Sequence, residues 1–197
     1  MSVLGNGLYA AKHYEDALIV EEAELALLRR IGVSEQNLLP VQCNIASSYW
    51  ELGRNEDALR MGRDVYFGTL RLHGEEDANT GSLIAAYNYT TALHASERFG
   101  ESKSLLHKMI PVARRVLDES SEITLKMRWK YAEALCRDTA ATLDDVREAV
   151  TTLEDVLRIA RRVLGPENPT TLAIERHLPF ARAALRAREA PPPAGDA

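Results

Sequence analysis

The stretch Asn44-Ile45-Ala46-Ser47-Ser48-Tyr49-Trp50-Glu51-Leu52-Gly53-Arg54-Asn55-Glu56-Asp57-Ala58 decides how this chain folds. Ala46 and Ala58 are small residues at points where two antiparallel helices must nearly touch, Tyr49 sits where they diverge, and Gly53 breaks the run between them. The unit closes at Arg71-Leu72-His73-Gly74, and similar units return along the chain. A helix hairpin repeating about every forty-odd residues is the signature of a helical solenoid. Each hairpin contacts its neighbours and builds one continuous core with them. Solenoids mostly present binding surfaces, and catalysis is uncommon among them.

The register residue of each unit falls at Ala17, Ala58, Ser102 and Ala149, at intervals of 41, 44 and 47 residues. The lengthening has local causes. Asp77-Ala78-Asn79-Thr80 reads as a loop longer by two residues, and Asp138-Thr139-Ala140-Ala141-Thr142 reads as a turn-rich insertion of five. Without them the period is about 42 residues. The second helix of each unit carries apolar residues spaced by three, four and seven. They are Met61, Val65, Tyr66, Thr69 and Leu72, then Leu105, Leu106, Met109, Ile110, Ala113 and Val116, then Leu153, Val156, Leu157, Ala160 and Val163. Each of these helices ends on arginines followed by Gly32, Gly74, Asp118 or Gly165. Cations complement the C-terminal end of the helix dipole, and glycine takes the left-handed cap.

The ends are less regular. The leading helix of the first unit has only Val3 to Lys12, weakened by Gly5 and Gly7. The fifth unit has only a leading helix, Thr171 to Ala187, which Pro179 is expected to interrupt. The expectation is an all-α array over residues 1–187, a right-handed α-solenoid of four antiparallel hairpins plus a C-terminal capping helix, about nine helices in all. Residues 188–197 have the composition of a disordered tail.

A net charge of −5 argues against a nucleic-acid binder held by phosphate contacts. Cys43 and Cys136 stand alone with no metal-ligand spacing, as in a reduced intracellular protein. No apolar run reaches the roughly 18 residues of a membrane-spanning helix, and the N-terminus has no signal-peptide core. The cytoplasm is therefore the expected compartment, and no metal or cofactor is expected. Asn88-Tyr89-Thr90 matches a glycosylation sequon, but it lies inside a helical pattern and is set aside. No phosphate-binding glycine loop, zinc-helix motif or nucleophile elbow is present, so no enzymatic activity is expected. The acidic run Glu21, Glu22 and Glu24 reads as a solvated face of the first outer helix.

The units resemble the tetratricopeptide repeat, and more narrowly the long version found in kinesin light chains. The second unit carries Asn44-Ile45-Ala46, Tyr49, Gly53 and Asp57-Ala58 at the places of that repeat. The third departs, with Asn88-Tyr89-Thr90, Leu93 and Phe99-Gly100-Glu101-Ser102, and the fourth has Lys130-Tyr131-Ala132 before its insertion. The linker Leu164-Gly165-Pro166-Glu167-Asn168-Pro169-Thr170-Thr171-Leu172 matches with Asn168 in the place of histidine. Residues 5–187 share the resemblance. Coiled-coil heptads that would join a motor subunit do not occur, so only the repeat type is shared.

The resemblance implies that the first helices line a concave groove. In it, Asn44, Asn88, Lys130 and His177 occupy the slot facing a ligand, flanked by Ser47, Tyr87, Thr91, Lys126, Trp129 and Arg137. Asparagines in this slot would hydrogen-bond the backbone of an extended peptide. Lys126, Lys130 and Arg137 share one helical face and, with Asn88, partly reproduce a clamp for acidic termini. Cys43 and Ser47 fill slots where that clamp has Lys and Asn. Trp129 beside Tyr87 would form a flat pocket for an apolar anchor. Two plainer readings stand beside these: the basic row as a solvated helix face, and Trp129 as packing between hairpins.

The expected function is a protein-interaction scaffold that binds an extended or short helical, acidic peptide in the groove. The rival is a structural, self-assembling module or a capping fragment of a larger protein, with homo-oligomers through the exposed first repeat. A ligand-gated change of superhelical pitch is a third reading.

Overall fold

Three-residue connections at 11–13 and 52–54 each bring a helix back against the one before it, α2 on α1 and α4 on α3. The structure, a computed structural model, describes residues 3–74 and 79–190. Among them are nine helices and no strand. These are α1 (Val3–Ala10), α2 (Tyr14–Arg30), α3 (Glu35–Glu51), α4 (Asn55–His73), α5 (Thr80–Ala95), α6 (Phe99–Leu117), α7 (Glu122–Arg137), α8 (Leu143–Val163) and α9 (Pro169–Glu189). Residues 75–78, which include Asp77 and Ala78 of the expected lengthened loop, and 191–197 of the expected tail lie outside the described residues, while Asn79 and Thr80 of that loop cap and begin α5. Arg188 and Glu189, expected in that tail, belong to α9.

The turns are as the repeat pattern requires. Gly32, Gly74, Asp118 and Gly165, each following an outer helix, all have φ between 74 and 90°. Between leading and trailing helices the same left-handed conformation is taken by Lys12 (φ 63°), Gly53 (φ 71°) and Glu97 (φ 55°). Glycine adopts it without strain; a residue with a Cβ does not. Asp118 has a local compensation, since its carboxylate accepts from the Ser120 and Ser121 amides at 2.6 and 3.0 Å.

The chain forms two units, residues 1–97 and 98–197. In the first, α1 to α5 pack each on the next, and α3 also meets α5. The register residues Ala17 and Ala58 are at most 1% exposed, as their small size predicts. Ile45, Val65, Leu83 and Leu93 fill the core around them, each buried aliphatic contributing about 1.5–3 kcal/mol. Gly62 lies where α4 meets α5, and a Cβ there would just touch the Tyr89 Cα at 3.4 Å. Glu21 departs from the expected solvated acidic face. It is only 1% exposed, and Ser48 of α3 donates to its Oε2 at 2.8 Å. The neighbouring carboxylate, Glu22, accepts from the Tyr49 hydroxyl at 2.7 Å.

In the second unit α6 to α9 pack in sequence and α7 also meets α9. Ser102 and Ala149 are buried at the register positions among Leu106, Leu125, Leu135, Val156 and Ile174. The five-residue insertion is not all loop. The 138–142 connection is two residues longer than its counterparts. The other three residues lengthen α8, which starts six residues before Ala149 where α2, α4 and α6 start three before theirs. A capping box at Thr142 and Asp145 begins the added turn, and Lys103 of α6 fastens it by a 2.5 Å pair with Asp145.

Two further expectations are corrected. Pro179 does not interrupt α9, which runs from Pro169 to Glu189. Like Pro40 in α3 and Pro111 in α6, it lies on an exposed helix face, where water can satisfy the carbonyl left without an N–H donor. The last apolar residues of the outer helices, Leu72, Val116 and Val163, belong to the apolar period yet are exposed. They sit in the final turn of α4, α6 and α8.

Candidate functional site

The expected ligand-facing residues separate into two groups, one in each unit. In the first unit, α1, α3 and α5 enclose a pocket of about 190 Å³ lined by Tyr9, Ser47, Trp50, Tyr87, Asn88 and Thr91, floored by alanines. Its hydroxyls are already turned inward: Ser47 donates to the Cys43 carbonyl and Thr91 to the Tyr87 carbonyl, both at 3.1 Å. Asn44 is engaged as well, donating from Nδ2 to Asn6 Oδ1 at 3.0 Å. Tyr9, not foreseen from the sequence, reaches Glu51 Oε1 at 3.2 Å. Burial is the main reason its phenol titrates well above its usual range, with the Glu51 carboxylate adding to the rise.

In the second unit the basic row of α7 is present but largely neutralised on its own helix. Lys126 pairs with Glu122 at 2.8 Å. Lys130 and Arg137 both reach Glu133, at 3.0 and 3.2 Å. Glu133 lies three residues after one and four before the other, so helix geometry brings all three together. The Trp129 ring packs against His177 of α9, centroids 5.1 Å apart, and Lys130 Nζ lies 4.8 Å from its centroid. Tyr87, expected beside Trp129 in one anchor, lines the pocket of the first unit. His177 Nδ1 hydrogen-bonds the Ala173 carbonyl at 2.9 Å, leaving Nε2 3.9 Å from Glu133.

Below this cluster, α7, α8 and α9 enclose a larger pocket of about 440 Å³. Cys136, Leu153 and Ala181 form its apolar side, and Glu133, Arg137, Arg176, His177 and Phe180 its rim. Arg137 also lies over the Phe99 ring at 4.6 Å. Burial pushes the Cys136 thiol up to about 11, so it stays protonated near neutrality and is a poor nucleophile. Arg176 and Phe180 were not singled out in the sequence. Their spacing of four, flanking His177 on the last helix, was the signal available.

Both pockets lie against leading helices of a hairpin array, the architecture of tetratricopeptide-type repeats. Residues 138–170 match the sequence pattern of the tetratricopeptide repeat. Among solved structures, the chain is similar to the nearly identical TPR-like repeats of a Podosopora anserina protein assigned as a kinesin light chain. The TM-score is 0.74 at 22% identity, over 94% of this chain and 85% of that one. A single-substitution variant of those repeats matches with a TM-score of 0.76, again at 22% identity over 94% and 85%. No curated protein matches the chain. The chain therefore has a tetratricopeptide-repeat fold of the kinesin-light-chain-like kind. Repeats of this kind generally mediate protein–protein interaction and are typically non-enzymatic scaffolds. No described helix is long and apolar enough to cross a membrane.

Proposed function

We propose that this chain is a protein-interaction scaffold, and that its second unit takes an acidic, extended or short helical peptide against α7 and α9. The observation that carries this reading is Arg176. Arg176, exposed at the 440 Å³ pocket, has no carboxylate paired to it among the described residues and stands four residues from Phe180, which is 56% exposed. A cation without a partner beside an apolar wall suits a ligand that presents a carboxylate next to an apolar side chain. Lys126, Lys130 and Arg137 supply three further positive charges against the two of Glu122 and Glu133, so the local field favours anions. A net charge of −5 supports a protein partner over a nucleic acid. The cytoplasmic setting read from the sequence stays part of the proposal.

The test is affinity capture with the full chain, the Arg176→Glu variant and the Lys126→Glu/Lys130→Glu variant. Partners retained by the wild type and lost by both variants, with retention falling as salt rises, are the expected result. Partners captured equally by all three would overturn the assignment to this face. A second reading, self-assembly through the first repeat, rests on Val3 and Leu4, which α1 leaves exposed. Light scattering that returns a monomer at all concentrations removes it.

A further inference from the structure

From the pocket of the first unit we infer a subsite for an uncharged carboxamide, the side chain of a glutamine or asparagine in a bound peptide. The inference rests on the reading of the chain as a peptide-binding scaffold, but it concerns a different pocket and a different chemistry from the acidic preference above.

No residue that lines this pocket is charged near neutral pH. Tyr9, which does line it, has its hydroxyl committed to Glu51, which does not. Ser47 and Thr91 have committed their protons to carbonyls of their own helices, so toward the pocket they present lone pairs only. Among the described residues the Asn88 side chain has no hydrogen-bond partner, which leaves both its amide N–H groups and its carbonyl oxygen for a ligand. The Trp50 indole N–H is likewise without a partner, on a ring that is 43% exposed at the pocket edge. The pocket therefore offers donors and acceptors together, with no net charge, between the aromatic walls of Trp50 and Tyr87.

That combination sorts candidate ligand groups. A carboxylate accepts but cannot donate, so it could not use the Ser47 and Thr91 lone pairs, and no cation here would offset its lost hydration. An ammonium donates but cannot accept from Asn88 or Trp50. An aliphatic group would displace water from Asn88 and leave it unpaired. A carboxamide donates and accepts in one plane, carries no charge, and is flat enough to lie against aromatic rings. The space, about 190 Å³, is roughly six times the volume a water molecule occupies in the liquid, which suits one side-chain group.

The experiment follows the indole N–H signals of the full-length chain by NMR during titration with N-acetyl-glutamine methylamide. The isosteric glutamate and methionine derivatives are titrated alongside. Trp50 reports on this pocket, and Trp129 in the second unit is the internal control. The expected result is a saturable shift of the Trp50 indole with the glutamine compound, unchanged between about 50 and about 500 mM NaCl. The glutamate and methionine compounds should bind at least about fivefold more weakly. Asn88→Leu, and the shape-conserving Asn88→Asp should the first fail to fold, are each expected to remove the preference. A Trp50 signal that does not move, or that moves equally with all three compounds, would overturn the inference. Because the Arg176→Glu capture experiment reads the other pocket, either proposal can fail while the other stands.

Discussion

The Ser48 hydroxyl donates to Glu21 Oε2 at 2.8 Å across the α2–α3 interface, and the other carboxylate oxygen of Glu21 is buried with no partner. A carboxylate half satisfied in this way is a liability in the folded state, because burial penalises its charged form.

That penalty has a pH signature. Burial raises the Glu21 pKa above its ordinary value, against the lowering effect of the Ser48 hydrogen bond. The folded state thus holds the proton more tightly than the unfolded one, and stability declines as pH rises from the unfolded pKa, about 4.3, to the folded one. Glu21→Gln is expected to raise the melting temperature at pH 7, with the gain shrinking toward zero near about pH 4. Thermal melts across this range decide it; a constant difference at every pH would show that the charge is not the cause.

The opposite sign is expected at Asp145. The hydrogen bond from Lys103, followed by that from the Thr142 amide, holds its pKa down at about 2. The stabilisation is present above the unfolded carboxylate pKa of about 3.9 and disappears as pH falls through about 2. For a pair at a partly exposed site this amounts to roughly 0.5–1 kcal/mol. Asp145→Asn should match the wild type near pH 2 and fall below it at pH 6, by an amount that high salt reduces.

Arg128 is the most deeply buried cation among the described residues, 6% exposed, and it bridges Glu119 at 2.5 Å and Asp155 at 2.7 Å. It ties the turn after α6 to α8 through α7. Both carboxylates keep some contact with solvent, so its removal should cost less than breaking a fully buried pair. Arg128→Met is expected to destabilise by about 1–3 kcal/mol in a urea titration. No loss of midpoint would mean that the bridge contributes nothing net.

The left-handed turn residues give a paired test. Gly53→Ala meets no neighbouring atom, so its cost, about 1 kcal/mol, would come from the backbone alone. Glu97→Gly at φ 55° should do the reverse and stabilise by up to about 1 kcal/mol. If both substitutions move the midpoint in the same direction, strain at these turns is not what governs them.

The parts of the fold that depend on period were legible in the chain. Ala17, Ala58, Ser102 and Ala149 recur because hairpins need small residues at the same point, and all four are buried. The left-handed caps were legible at Gly32, Gly74, Asp118 and Gly165 for a similar reason, since few residues suit that conformation. What escaped depends on partners distant in sequence. An acidic run such as Glu21 to Glu24 looks solvated until Ser48 is placed against it. The neutralisation of Lys130 and Arg137 by Glu133 could have been read from helical spacing alone. Arg176 and Phe180 share a face of α9 by their spacing of four, but the pocket that face walls is built with α7 and α8, which spacing within one helix does not specify.

The added turn of α8 shows where this protein can grow. Residues joined to the start of a helix leave the azimuth of every later residue unchanged, so Leu153, Val156 and Ile159 stay buried despite the extra length. The same five residues spliced into the middle of α8 would rotate everything beyond them by about 140° and turn that face to water. The 138–142 turn is therefore the port at which a tag, an epitope or a fluorescent peptide could be grafted with the phase of the outer helix preserved.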